Sequence, residues 1–494
     1  MTPSRRWISL SVLIGAVLLL AIDSTVLFLA VPSLTRDLDP TATQVLWIGD
    51  IYSLAIAGLL VTMGNLADRV GRKKVLLIGA TAFGAASVLA AFSPTAEVLI
   101  AARLLLGIAG ATLMPSTLSL IRNIFTDPRE RTRAIALWSA ASASGIAIGP
   151  LLGGALLEHF WWGSVFLINL PVMALVVIVG WWVLPESRNP EPGRFDLLSS
   201  ALSMLAIVPF VYVVKHLAGG TYGVSGGVAT VVAIASAILF VRRQRRAAHP
   251  MIDVELFRSG AFSGAVLVNF ISIFAMSGVL FFFSQYLQLA RDLSPLQAGL
   301  AQLPVAIAAM AAIAVVGFLL ARLGRGRAIA LALAVGAAGL VFVALVEGSD
   351  QLVWLLIALV PLGLGIGVSE TLSVDAVVSS VPQHKSGAAS SISETAYELG
   401  AAMGIAILGS VMTVLYRANL VVPEGAEGAE AAHDSLASAS AALEPGSAVL
   451  ATAHDAFVTA MQSTTLIAAG IMVVGAVVAF RLIPNAKQAV AAHH

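Results

Sequence analysis

The sequence predicts an all-α protein that crosses a membrane fourteen times, and three observations carry that prediction. Of its 494 residues, 59% are hydrophobic and only 11% charged, with a mean hydropathy of +0.94. Soluble domains carry about 25% charged residues, so a soluble globular fold is excluded. Apolar stretches of about 20 residues, the length that spans hydrocarbon as a helix, recur along the whole chain. Lys and Arg are sorted to one side. With the N-terminus inside, the inner segments hold 23, the outer segments hold four (Arg36, Lys215, Arg291 and Arg417), and Arg103 lies within a span. That bias is a positive-inside signal and places both termini in the cytoplasm. It also supports the even count, because removing one span would turn the later basic loops outward.

The expected spans lie near 7–30, 44–66, 74–93, 97–120, 134–156, 164–184, 197–217, 223–243, 262–288, 297–320, 328–346, 352–379, 386–415 and 455–482. The first follows Arg5-Arg6 but is too long for a signal-peptide core and lacks a cleavage site, so it is retained. Lys215, His216 and several glycines crowd the turn between spans seven and eight. Residues 418–454 are rich in Ala, Glu, Ser and Gly and fall outside between the last two spans. Too polar to cross, they read as a solvated loop, with a short helical hairpin as the alternative.

An internal repeat organises these spans. Gly64-Asn-Leu-Ala-Asp-Arg-Val-Gly-Arg-Lys-Lys74 returns as Gly317-Phe-Leu-Leu-Ala-Arg-Leu-Gly-Arg-Gly-Arg327, and Arg36-Asp-Leu-Asp-Pro40 returns as Arg291-Asp-Leu-Ser-Pro295. The second copies lie 253 and 255 residues after the first. Two homologous six-helix halves follow: 1–190, and 259–494 with the outer loop 417–454. Residues 191–258 are then two inserted spans and a basic linker. Parallel halves of this kind are a transporter architecture, with the substrate site near the midplane between them.

Span five carries a stripe almost without side chains. Ala141, Gly145, Gly149 and Gly153 fall at steps of four, with Pro150 and Gly154 among them. In lipid such a stripe lets a second helix approach closely, and Pro150 removes a donor and favours a bend. Ordinary helix packing would use the same residues; a hinge or seal is the sharper reading.

A charge within hydrocarbon is costly and usually functional. Asp23 sits deep in span one, Asp50 just inside span two near Trp47 and Tyr52, and Glu370 and Asp375 in span twelve. Glu394 and Glu398 are four apart in span thirteen and share one helix face. No Lys lies deep in a span and Arg103 is the one basic residue there, so the interior is expected to be net negative. That suits a cationic guest or exchangeable protons, although each acid taken singly could be a hydrogen-bonded structural carboxyl. Asp68, beside Arg69, Gly71, Arg72, Lys73 and Lys74, can latch one conformation by pairing with a neighbouring Arg; in the second copy Ala321 replaces it. Aromatic residues near these positions, Tyr397 among them, offer cation–π faces or interface anchors.

Other chemistries find no support. There are no cysteines, the histidines lie almost wholly in or near loops, and no Walker loop, nucleophile elbow or zinc helix is present. No enzyme, cofactor, metal or nucleic-acid partner is expected.

These residues resemble a known family, the fourteen-span drug:H+ antiporters of the major facilitator superfamily, of the QacA/LfrA/SmvA type. The resemblance runs from about residue 5 to 484 and rests on seven stretches. They are Ile22-Asp-Ser-Thr-Val with Ala30-Val-Pro32, the Gly64–Lys74 loop, Leu99 through Arg103 to Gly110, the Gly145–Gly154 antiporter motif, and Ser393-Glu-Thr-Ala-Tyr-Glu398-Leu-Gly400 with Trp47-Ile-Gly-Asp50-Ile-Tyr52. It implies a major facilitator fold in a bacterial cytoplasmic membrane. It also implies proton-coupled export of lipophilic cationic drugs, quaternary ammonium biocides and dyes by a monomer driven by the proton gradient. Asp23 and the acids of span thirteen are then the expected cation and proton sites, Arg103 modulates proton access, the 145–154 stripe seals one state, and Asp68 with Arg69 latches another. Where some relatives carry an acid in span ten, this chain reads Pro304-Val-Ala-Ile-Ala-Ala-Met310. The rival expectations are a dedicated exporter of one antibiotic or metabolite, and a membrane sensor that moves nothing.

Overall fold

The computed structural model describes residues 2–188, 196–247, 250, 252–349, 351–382, 385–423 and 426–485; the expected domain boundary at 190 lies outside them. Among the described residues seventeen α-helices follow in order. The first six spans are α1 (Pro3–Leu38), α2 (Ala42–Val70), α3 (Arg72–Ala91), α4 (Ala96–Ile124), α5 (Pro128–His159), and the short α6 (Ser164–Leu167) continued by α7 (Asn169–Val183). The inserted pair is α8 (Leu197–Ala218) and α9 (Val224–Arg246). The last six are α10 (Gly260–Gln285, extended by a π turn over Tyr286–Ala290), α11 (Pro295–Leu323), α12 (Arg325–Val346), α13 (Leu352–Ser379), α14 (Ser386–Asn419) and α17 (Ala448–Leu482). The short α15 (Ala429–Asp434) and α16 (Leu436–Ala442) precede α17. Fourteen of these segments are long and apolar enough to cross a membrane. Most overrun the expected spans by a turn or two, because polar caps extend a helix beyond its apolar stretch.

Local chemistry repeats with the sequence. Thr41 and Gln44 form a capping box at the start of α2, and Ser294 and Gln297 form the same box at the start of α11. The glycine turns also match. Gly71 (φ 130°) and Gly324 (φ 78°) adopt backbone angles that favour glycine. Beyond each turn the next helix's free N–H is met by the tail of the last span in its set. Glu186 accepts from Lys73 N at 3.2 Å, and Asn485 accepts from Arg327 N at 2.8 Å.

The small-residue stripe packs as its spacing predicts. A methyl at Gly145 would lie 2.6 Å from Ala21 Cβ, and one at Gly153 would lie 2.7 Å from a Val26 methyl. Thr25 fills the place of a side chain at Gly149. The fourth glycine faces elsewhere: at Gly154 a methyl would meet the Pro295 carbonyl at 2.6 Å, and Gly299 abuts the Pro150 carbonyl. One stripe therefore seats α1 and α11 together, and α5 runs unbroken through Pro150.

Contacts between the first and last six spans gather at one end, which we call the loop end because α15 and α16 lie there. Glu158 accepts from Leu296 N, Gln288 donates to the Leu29 carbonyl, Phe28 meets Phe281 edge-on, and Gly409 packs on Leu46. The expectation of a solvated loop over 418–454 is corrected here. Tyr416 donates to the Ala432 carbonyl at 2.7 Å, Arg417 to the His433 carbonyl at 3.1 Å, and the Asp434 carboxylate accepts from Ala42 N at 3.2 Å. Residues 429–442 form the helical hairpin that was the alternative reading, docked on the start of α2.

Candidate transport site

Asp23 anchors one buried cluster. It is 1% exposed, as is Arg103. Arg103 Nη1 donates to Asp23 Oδ2 at 3.0 Å, and Asn169 Nδ2 donates to Oδ1 at 2.8 Å and reaches Ser87 Oγ at 3.0 Å. Arg103 also donates to the Ile48 carbonyl, and its guanidinium lies 4.6 Å from the Tyr52 ring centroid. Five spans thus meet at one neutralised acid. A buried ion pair is tolerated only when its remaining donors and acceptors are also met, and Asn169 and Ile48 do that here.

Asp50 makes a second pair, and this corrects two expectations. Lys215 is neither in an outer loop nor absent from the interior. It lies within α8 with its side chain fully buried, its Nζ 2.8 Å from Asp50 Oδ1 and 2.7 Å from Oδ2. The same ammonium sits 3.6 Å from the Trp47 ring centroid. Trp47 and Tyr52 therefore already stack on the protein's own cations.

The acids of the last six spans are arranged otherwise. Glu394, Tyr397 and Glu398 on α14 and Glu370 on α13 are half-buried. Their charges lie within electrostatic reach of one another around Tyr397. Ser53 of α2 faces Glu398, and Tyr52 lies within electrostatic reach of both Asp23 and Glu398, linking the two clusters. Among the described residues no salt bridge reaches Glu370, Glu394 or Glu398.

Two other expected residues are placed differently. Asp375 does not join the cluster; its side chain is 52% exposed and pairs with Arg325 at 2.7 Å. Asp68 pairs with Arg72 at 2.8 Å, while Arg69 points outward and is exposed. Helix geometry explains the choice, since residues four apart are neighbours and adjacent ones are not. Arg325 occupies the same place in the second repeat as Arg72 in the first. With Ala321 where Asp68 would be, it takes its acid from α13. Gly64 lies over Pro115 in ordinary contact.

Sequence reasoning missed Lys215, Asn169, Ser53 and Ser87. Lys215 had a signal: a lysine at the end of a strongly apolar stretch, with an unpartnered Asp50 elsewhere. The others are polar residues of ordinary frequency, marked only by the fold.

Comparisons agree with this geometry. The Major Facilitator Superfamily profile matches residues 13–405. The chain is 46% identical over 484 residues to the multidrug efflux pump LfrA of Mycolicibacterium smegmatis, covering 97% of this chain and 96% of that one. It is 36% identical over 480 residues to the methyl viologen resistance protein SmvA of Salmonella typhimurium, covering 95% and 96%. The fold matches a bacterial homolog of the human lysosomal transporter Spinster, solved inward-facing and occupied, with a TM-score of 0.68, 16% identity and 97% of each chain covered. Fourteen spans, twin glycine turns and charges buried between helices are thus those of a multi-pass inner-membrane protein, and the chain belongs to the Major Facilitator Superfamily.

Proposed function

We propose that this protein is a proton-coupled multidrug exporter that moves lipophilic cations, such as quaternary ammonium compounds and dyes, outward as protons move inward. The observation that carries the reading is the Glu370–Glu394–Glu398 cluster: three carboxyl groups gathered around Tyr397 with no lysine or arginine bound to them among the described residues. An ionised carboxylate away from water needs a counter-cation or a proton. A cationic drug and a proton are then rivals for one site. Tyr397 adds an aromatic face suited to a lipophilic cation. The relatives' names, multidrug efflux pump and methyl viologen resistance protein, support a drug cargo.

Coupling is a difference in affinity. Protonation of the α14 carboxyls weakens cation binding, and cation binding expels protons, by the same factor in each direction. Tyr52 and Ser53 stand between Glu398 and the Asp23–Arg103 pair, so the charge on Glu398 is felt by the first six spans. Arg103 holds Asp23 while the cargo site is empty and releases it to a second charge when the site fills. Contacts gathered at the loop end fit a state closed there, with the α5 glycines as the seal. Rocking of the two six-span sets would alternate access, and the Asp68–Arg72 and Asp375–Arg325 pairs would latch the opposite end. By the sorting of Lys and Arg, that opposite end faces the cytoplasm.

The test is ethidium movement in proteoliposomes with an imposed pH gradient, compared with a Glu394→Gln/Glu398→Gln variant. Uphill movement that a protonophore abolishes and the variant lacks is the expected result. Folded protein that moves no cation under any gradient would overturn the reading and favour a single, different cargo.

A further inference from the structure

The inserted pair α8–α9 has no counterpart in the repeat, and the transport reading leaves it without a task. Its contacts show how it is held. α8 runs antiparallel to α2 and meets it at three levels. Lys215 pairs with Asp50, Met204 fills the space over Gly58, and Ser200 hydrogen-bonds Thr62. The numbering falls along α8 as it rises along α2, so the three contacts form one continuous seam. At the opposite end Arg243 and Gln244 of α9 bind Asp196 and Ser199, tying α9 to the start of α8. α8 also packs on α14, so it stands over the junction between the first and last six spans. The α2 side of that junction carries the polar contacts; Gly58 and Thr62 have neighbours on α8 that a sliding interface would not keep.

We infer that Lys215 is a positioning residue: its buried pair with Asp50 docks the inserted helices on α2, so that α8 travels with the first six spans, and it keeps Asp50 out of the cargo and proton path. The Lys215 ammonium occupies both the carboxylate and the aromatic face of Trp47, the two groups a cationic guest would need. A fully buried pair of this kind is costly to break from one side, because the remaining charge is left alone. Removing both charges together is far milder. The charged groups around the pair are Asp50 on α2, Lys215 on α8 and Arg103 on α4, the last already held by Asp23.

The first test is a stability cycle in detergent with Lys215→Met, Asp50→Leu and the double variant. Each single change should lower the melting temperature by several degrees, and the double should recover more than half of either loss. A double loss equal to the sum of the singles would overturn the pairing. The second test uses the native absence of cysteine. A Thr62→Cys/Ser200→Cys protein, oxidised to the disulfide, should transport as well as its reduced form. Inhibition on oxidation, reversed by reductant, would show that α8 slides on α2 and overturn the docking.

A third readout separates docking from chemistry. The pH profile and cation KM of the Lys215→Met/Asp50→Leu protein should match the wild type, with only the maximal rate reduced. A displaced pH profile, or a KM changed tenfold, would return Asp50 to the transport path. Wild-type protein that moves no ethidium would count against the proposed cargo, and the stability cycle would still decide the docking.

Discussion

The first six spans and the last six share a fold, a capping box and a glycine turn, yet they treat buried charge in opposite ways. In the first set every deep acid has a resident cation stacked on an aromatic ring: Asp23 with Arg103 over Tyr52, and Asp50 with Lys215 over Trp47. Among the described residues, Glu370, Glu394 and Glu398 of the last set have none. At the repeat spacing of Arg103 the second copy reads Leu356-Ile357-Ala358, which are apolar. Duplicated architecture has therefore not duplicated the pairing of charge. One copy has its buried acids paired with cations, and in the proposed mechanism the other, short of positive charge, is completed by a cation or a proton.

The comparison can be broken most severely at the open cluster. Glu394→Gln/Glu398→Gln keeps side-chain shape while removing both charges, and should abolish gradient-driven cation export, a loss of at least about 100-fold from removing charge stabilisation in a low-dielectric site. Size-exclusion elution should be unchanged, which separates lost transport from lost fold.

A smaller effect is expected at the closed cluster. Arg103→Leu leaves Asp23 buried and unpaired, so thermal unfolding should show a loss of about 3–5 kcal/mol. Asp23→Leu/Arg103→Leu should be milder than either single change. The same variants made in the last six spans have no pair to break, and Glu370→Leu should leave stability equal to or above the wild type.

The glycines give a third contrast. Gly145→Ala drives a methyl toward Ala21 and the Leu18 carbonyl and should cost about 1–3 kcal/mol by overpacking. At Gly317 an added methyl would meet no neighbouring helix within 4 Å, so Gly317→Ala should gain up to about 1 kcal/mol from helix propensity. Thermal melts of the two variants check both signs.

The smallest effect concerns the inserted pair. Burial opposes ionisation of Asp196, but hydrogen bonds from Arg243 and Ser199 outweigh it and hold the carboxyl at about 2, below its ordinary 3.8. A lowered acid contributes stability in full above the ordinary value and loses it as pH falls through the lowered one. The melting advantage of wild type over Asp196→Asn should therefore shrink as pH drops from about 4 to about 2. Asn keeps the helix cap, so the comparison reports charge alone.

Much of the site was legible in the sequence, though as a list and not as an arrangement. Asp23, Arg103, Glu394 and Glu398 stand out because charge in an apolar stretch is rare, and Glu394 and Glu398 can be paired because four residues make one helical turn. The Asp23–Arg103 pair spans 80 residues and three helix boundaries, and no local pattern encodes it. Lys215 was misplaced because hydropathy cannot tell a lysine reaching out to the interface from one turned inward on an acid. Asp375 failed in the opposite sense: it lies one turn from the end of α13, where its side chain reaches out to Arg325 and is half exposed.

The fourteen spans, the repeat, the glycine stripe and most of the acids within the spans follow from the sequence alone. Each is a local consequence of what hydrocarbon excludes and of what a helix places on one face. The tertiary structure alone shows which charges neutralise one another, at which end the two sets of six spans meet, and that Gly154 seats α11 while its neighbours seat α1. Electrostatic pairing acts through space between residues far apart in the chain, and a buried acid's role depends on whether a cation from another helix reaches it.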